Sequence, residues 1–250
     1  MNFSGGGLVV MGRAVLNENE GDMKKSTKIA LWVTGGVVVV VAAALVVGPY
    51  VYAGYVQSNE AAPPTLSATS GTSSVDVDDL SGAWAIGSGS FAGYRVDEVL
   101  YDQHVTVTGR TDQVTGDLTV DGLTLTAATI TVDVASISTP EPARDAYFRD
   151  SALEVSRFPT ATFTLTAPVT AERPAPGEPQ SFTAEGDLTM HGVTQHVSVD
   201  LQAALTADGG QVTGSIPVTF DDYGVQAPSL GFVTVENSGS VEFLLNLTQQ

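Results

Sequence analysis

Apolar and polar residues alternate with a period of two from Gly186 to Leu201. Thr189 separates Leu188 from Met190, and Ser198 and Asp200 separate Val197, Val199 and Leu201. Each run presents one apolar face, the pattern of a half-buried strand. His191 and Gly192 lie between the runs, and Gly192 can take the positive φ of a tight turn without steric cost, so antiparallel pairing is expected. The same Val- and Thr-rich alternation runs through Val105-Thr106-Val107-Thr108, Val114 to Val120, Leu123 to Val134, Thr160 to Val169, Phe182 to Met190, Thr194 to Leu205, Val212 to Phe220 and Ser240 to Leu247. Thr115-Gly116, Asp121-Gly122 and Asp208-Gly209-Gly210 punctuate it. Seven or eight such strands predict an all-β antiparallel sandwich or barrel. A barrel leaves no exposed edge, which favours closure.

One segment breaks the alternation. Pro140 to Asp150 opens with proline, continues in helix-compatible residues and pairs Asp145 with Arg149 at i,i+4, predicting a short helix across one end of the barrel. Ala171 to Gln180, with Pro174, Pro176 and Pro179, reads as an exposed loop.

The N-terminal quarter follows a different pattern. Ile29 to Val47 is a run of 19 residues without a charge, and as a helix it spans roughly 28 Å, close to the thickness of a bilayer's hydrocarbon core. Lys24, Lys25 and Lys28 precede it, and Tyr50, Tyr52 and Tyr55 follow at interfacial positions. A transmembrane anchor over residues 29–56 is expected, with a cytoplasmic tail at 1–28 and the remainder extracytoplasmic. A cleaved signal peptide would have a shorter apolar core and a small-x-small site. Met23-Lys24-Lys25 resembles an alternative start. Residues 57–79, rich in Ser, Thr, Ala, Pro and Asp, read as a disordered linker, and 80–250 as the folded domain.

Composition narrows the partner classes. The net charge is −18, and beyond Val56 six arginines face 25 acidic residues. Nucleic-acid binding requires cations against phosphate, so it is excluded. With no cysteine there are no disulfides and no thiolate metal ligands. His191 and His196, five apart across a turn, do not make a metal pair, and no HExxH or EF-hand pattern is present. Gly87-Ser88-Gly89-Ser90 lacks the spacing of a phosphate loop, and no serine occupies a Gly-x-Ser-x-Gly elbow. No catalytic residue is assigned. Tyr94, Phe163, Leu165, Phe220, Phe232 and Phe243 suit either a packed core or a ligand cavity, since a barrel of eight strands is at the size where its interior is filled or holds one small ligand. Arg144 and Asp145 either meet a ligand's head group or tie the helix to the barrel rim.

An ordered series of motifs then carries a resemblance: Trp84-Ala85-Ile86, Gly93-Tyr94-Arg95-Val96, Ala135-Ser136-Ile137-Ser138-Thr139 before Arg144-Asp145, Phe158-Pro159-Thr160-Ala161-Thr162-Phe163, Gly186-Asp187-Leu188-Thr189 with Gly192-Val193-Thr194, and Asp222-Tyr223-Gly224-Val225. Together they resemble the YceI-like family of lipocalin-like, extracytoplasmic proteins over Leu80 to Thr248. The resemblance implies a lipocalin-like barrel of about eight strands with a short helix, and a non-enzymatic binder of a polyisoprenoid or isoprenoid quinone, the lipid being the ligand and no cofactor being needed. It implies a lumen lined by Tyr94, Val96, Phe148, Phe163, Leu165, Leu188, Phe220, Phe232 and Phe243, with Arg144 and Asp145 near the head group. Asp97-Glu98 stands where the family commonly has a basic residue and a histidine, so the polar contacts at that end differ. The expected protein is a single-pass cell-membrane protein, its arrangement open to a homodimer, that transports, stores or sequesters its lipid. A filled barrel acting as a cell-envelope interaction module is the other reading.

Overall fold

In the computed structural model, residues 44–67, 80–173, 178–206 and 209–250 are described. Two units divide the chain, Met1–Gly48 and Pro49–Gln250. Of the first, residues 44–48 are described, and they are helical. Most of the expected membrane span lies outside the described residues, and among those described no helix is long and apolar enough to cross a membrane.

The second unit is the barrel with a helical lead-in. Eleven strands form one antiparallel sheet: β1 (Gly82–Ile86), β2 (Phe91–Leu100), β3 (Gln103–Thr111), β4 (Val114–Asp121), β5 (Thr124–Asp133), β6 (Thr160–Leu165), β7 (Val169–Thr170), β8 (Gln180–Met190), β9 (Val193–Thr206), β10 (Gly209–Thr219) and β11 (Val233–Gln249). β1 and β2 share one edge of β11 and are two parts of a single interrupted strand, and β3 and β4 continue each other in the same way. β7 is a two-residue pairing beside β5. The wall thus consists of eight staves, each paired to the next in chain order and closed where β1 meets β11. Closure pairs the sheet edges that would otherwise template association, except the far edge of β3.

The predicted hairpin forms as β8 and β9, in register from Met190↔Val193 to Gln180↔Ala203. His191 and Gly192 have φ of 52° and 75°, the two positive values of a hairpin turn that follows the strand twist. A Cβ on Gly192 would lie 2.4 Å from Phe158, so the turn is also pinned from outside. His191 is not the surface residue its turn position suggests: its side chain is 13% exposed, its ring meets Phe158 edge-on and its Nδ1 lies 3.1 Å from the Tyr223 carbonyl. His196 stays at the surface beside Asp187 and Glu185.

The predicted short helix is α2 (Pro142–Tyr147), which passes at Phe148–Ala152 into a wider π turn. It lies at the end of the barrel where β3 leaves β4's course. There β3 pairs with β2 alone, and only the isolated Arg110–Ser138 bridge links its far edge to the chain after β5.

The lead-in packs against the barrel. Residues 49–58 form helix α1, and its Ala53 and Val56 are buried on Val96, Leu100, Val105 and Val107. The C-terminal end of the expected anchor therefore packs on protein. Residues 57–67 are not a free linker but a strap on the outer wall. Ala61 N–H donates to Thr108 Oγ1 at 3.0 Å, Ser67 N–H to Gln211 Oε1 at 2.6 Å, and Arg95 pairs with both Glu60 and Glu242. Polar composition argued for disorder, but these backbone groups and charges find partners on the wall. The strap explains why Glu242 and Thr213, on the outward face of their strands, are 5% exposed.

Candidate functional site

Side-chain alternation sends one set of each strand inward, and the inward sets do not meet. Two cavities remain along the barrel, of about 300 Å³ and 480 Å³. Both are lined by Ala92, Val132, Ala161, Met190 and Val241, so they adjoin at a waist made by these residues. A barrel filled with side chains is thereby overturned, because the inward positions at the waist include the small side chains of Ala92 and Ala161.

The inner cavity takes Phe163, Leu165, Leu188 and Phe243 among its walls, together with Trp84, Leu118 and Ile130. The outer one takes Tyr94, Val96, Phe148, Phe220 and Phe232. All nine expected lumen positions thus face one cavity or the other. Phe148 reaches the lumen from the π turn and stacks on Tyr94 at a centroid distance of 4.9 Å. Gly109, opposite Tyr94, leaves the space that this ring fills, since a Cβ there would lie 2.5 Å from it. Burial drives the Tyr94 hydroxyl's pKa up, so the phenol stays neutral.

The expected head-group residues part company. Arg144, on α2, lines the outer cavity and its Nη2 donates to Glu98 Oε1 at 2.9 Å. Asp145 lines neither cavity. Its Oδ1 accepts from Thr139 N–H at 3.0 Å and from Thr139 Oγ1 at 2.8 Å, so it holds the start of α2 to the preceding segment.

Glu98, Glu141 and Tyr52 enter the outer cavity unforeseen as lumen residues. Glu98 is 3% exposed at an inward position of β2. Burial raises its pKa, against which the Arg144 guanidinium pulls downward. The alternation of Tyr94, Val96, Glu98 and Leu100 signals that Glu98 points inward, but a carboxylate on an apolar face departs from the pattern that usually marks a core position. Tyr52 comes from α1, and burial, then the nearby Glu141 carboxylate, raises its hydroxyl's pKa.

The outer cavity opens beside Leu230 and Phe232, which are 54% and 50% exposed, and Tyr147, on α2. Tyr101 stacks on Phe232 at 5.5 Å, which extends an apolar rim around the mouth. Among the described residues no cluster of His, Asp and Glu has the arrangement of a metal site.

Known proteins are similar to this chain in sequence or in fold. UPF0312 proteins from Shewanella baltica strains OS185 and OS195 are 30% identical over 129 residues, 48% of this chain. The chain spans 64% of the length of these curated relatives. A solved polyisoprenoid binding domain from Saccharophagus degradans, implicated in plant cell wall breakdown, shares the fold with a TM-score of 0.54 at 20% identity, covering 67% of this chain and 98% of that one. The family profile described as the YceI-like domain matches residues 84–247, which contain every strand of the barrel wall in whole or in part. The chain belongs to the YceI-like family.

Proposed function

We propose that this protein is a binding protein, not an enzyme, and that it holds an isoprenoid lipid, either a polyisoprenoid or an isoprenoid quinone, in the barrel lumen. The observation that carries the reading is the pair of adjoining cavities, apolar along the inner wall and opening through an apolar rim. A long chain threaded there gains about 25 cal/mol for each Å² of apolar surface buried, offset by the cost of ordering chain and walls. The Saccharophagus degradans domain, described as polyisoprenoid binding, supports the choice of lipid.

The uncharged run from Ile29 to Val47 and the lysines before it support a single-pass cell-membrane protein with its N-terminus cytoplasmic and the barrel outside. Exposed aromatic and aliphatic residues around a cavity mouth suit contact with a lipid surface, where transport, storage or sequestration would load the barrel. Mass spectrometry of lipid extracted from the full-length protein, purified in mild detergent, tests the binding. An isoprenoid present in molar proportion to protein is the expected result. A protein that is empty and takes up no added isoprenoid overturns the reading.

A further inference from the structure

Among the described residues, three charged side chains line the two cavities, and all belong to the outer one: Glu98, Glu141 and Arg144. The guanidinium is already engaged, with Arg144 Nη2 2.9 Å from Glu98 Oε1, and the residue that engages it is 3% exposed. Glu141 adds a second carboxylate to the same lining. The polar end of the lumen therefore holds two acids against one base.

From this arrangement we infer that the site selects isoprenoids with an uncharged, hydrogen-bonding head group, a quinone ring or a free alcohol, over isoprenoid phosphates. The inference rests on the isoprenoid reading of the lumen and deepens it. A phosphate monoester carries roughly −1.5 to −2 charges at pH 7. Whichever Arg144 donors it takes, it sits beside the buried Glu98 carboxylate and Glu141, two like charges against one guanidinium, and taking the donor that Glu98 uses would leave a buried carboxylate without its partner. A carbonyl or hydroxyl asks for much less. Guanidinium carries five N–H donors in all, so a neutral acceptor takes one that Glu98 does not use, and the Arg144–Glu98 pair survives. The Tyr52 hydroxyl offers a further partner in the same lining.

The experiment presents delipidated full-length protein in detergent with equimolar polyprenol, isoprenoid quinone and polyprenyl monophosphate of matched chain length, and quantifies the retained lipid by mass spectrometry. Wild type is expected to retain the two neutral lipids over the phosphate by roughly tenfold or more. Glu98→Gln removes one negative charge while keeping the side chain's shape, and is expected to raise the phosphate-to-polyprenol ratio. Glu141→Gln, at a less buried position, is expected to move the ratio the same way by less, and serves where the Glu98 variant fails to fold. Wild type retaining phosphate as well as polyprenol overturns the selectivity while leaving the isoprenoid reading intact. Retention of none of the three overturns both.

Discussion

Glu98 shows how one side chain sets both a chemical preference and a dependence on pH. Its pKa is raised by burial, despite the opposing Arg144 charge, so the folded state holds the Glu98 proton more tightly than the unfolded chain does. Its contribution to stability is complete below the ordinary carboxylate pKa and is lost as pH rises through the raised one. Thermal melts of wild type and Glu98→Gln across that window are expected to show the component of falling stability with rising pH in wild type alone. A second prediction concerns the Gly93-Tyr94 motif. A Cβ at Gly93 would lie 1.9 Å from the Gly109 carbonyl oxygen on the adjoining strand, with no flexible atom to yield. Gly93→Ala is expected to cost about 1–3 kcal/mol by denaturant unfolding, as overpacking does. At this scale the sequence speaks clearly where a residue obeys the apolar period and poorly where it violates it. Phe163 and Leu188 could be placed inward because their neighbours are polar, whereas Glu98, although its period points inward, is a charge on an apolar face whose partner lies 46 positions away, and Tyr52 meets Glu141 from 89 positions away. Asp145 illustrates the converse, a charge next to Arg144 in sequence that is spent on Thr139.

Among the elements, the strap and α1 are the least expected. Arg95 bridges Glu242 on the wall to Glu60 on the strap, with Nε–Oε1 2.6 Å to Glu242, and its Nη2 also donates to the Ala61 carbonyl at 2.6 Å. Replacing it strands the buried Glu242, whose other cation, Arg110, stands 3.7 Å away. Arg95→Ala is expected to destabilise the fold by about 3 kcal/mol, the low end for breaking a buried pair, and to speed hydrogen exchange at residues 57–67. Val56→Asp places a carboxylate against Val96 and Val107 and is expected to release α1, read as new proteolytic cleavage in residues 49–67. Composition could not reveal this docking, because Ser, Pro and Ala are as common in a strap held by backbone hydrogen bonds as in a free linker. The hairpin between β2 and β3 was hidden for a related reason. Tyr101 and Asp102 take φ of 49° and 62° without a glycine to announce the turn, so the strand preceding it gave no boundary. The β8–β9 hairpin, with glycine in its turn, was legible from both its period and its punctuation.

The second unit is a closed wall around an unfilled axis, and this governs its response to ligand. A lipid that binds only the folded state raises stability by about 2.7 kcal/mol when present at a hundred times its dissociation constant. Calorimetry of the lipid-extracted and reloaded protein is expected to show the melting temperature rising with added isoprenoid, and showing no rise with a short-chain alkyl alcohol at equal concentration. Closure and strand number were legible from evenly spaced alternating runs, because an antiparallel meander must bury one face of every strand. The hollow was not, since alternation shows which side chains point inward and not whether they meet. Where Ala92, Val132, Ala161, Met190 and Val241 draw the two cavities together, departure of a lipid becomes a matter of time as well as affinity. A chain that reaches past this constriction and leaves by the Leu230–Phe232 mouth must reptate back through it, so its residence by that route should lengthen with each unit lying beyond, whereas a shorter chain confined to the outer chamber escapes in one step. Stopped-flow exchange with a graded series of isoprenols is expected to show a break in the dissociation rate at one chain length, and Ala161→Phe, by narrowing the passage, to abolish that break.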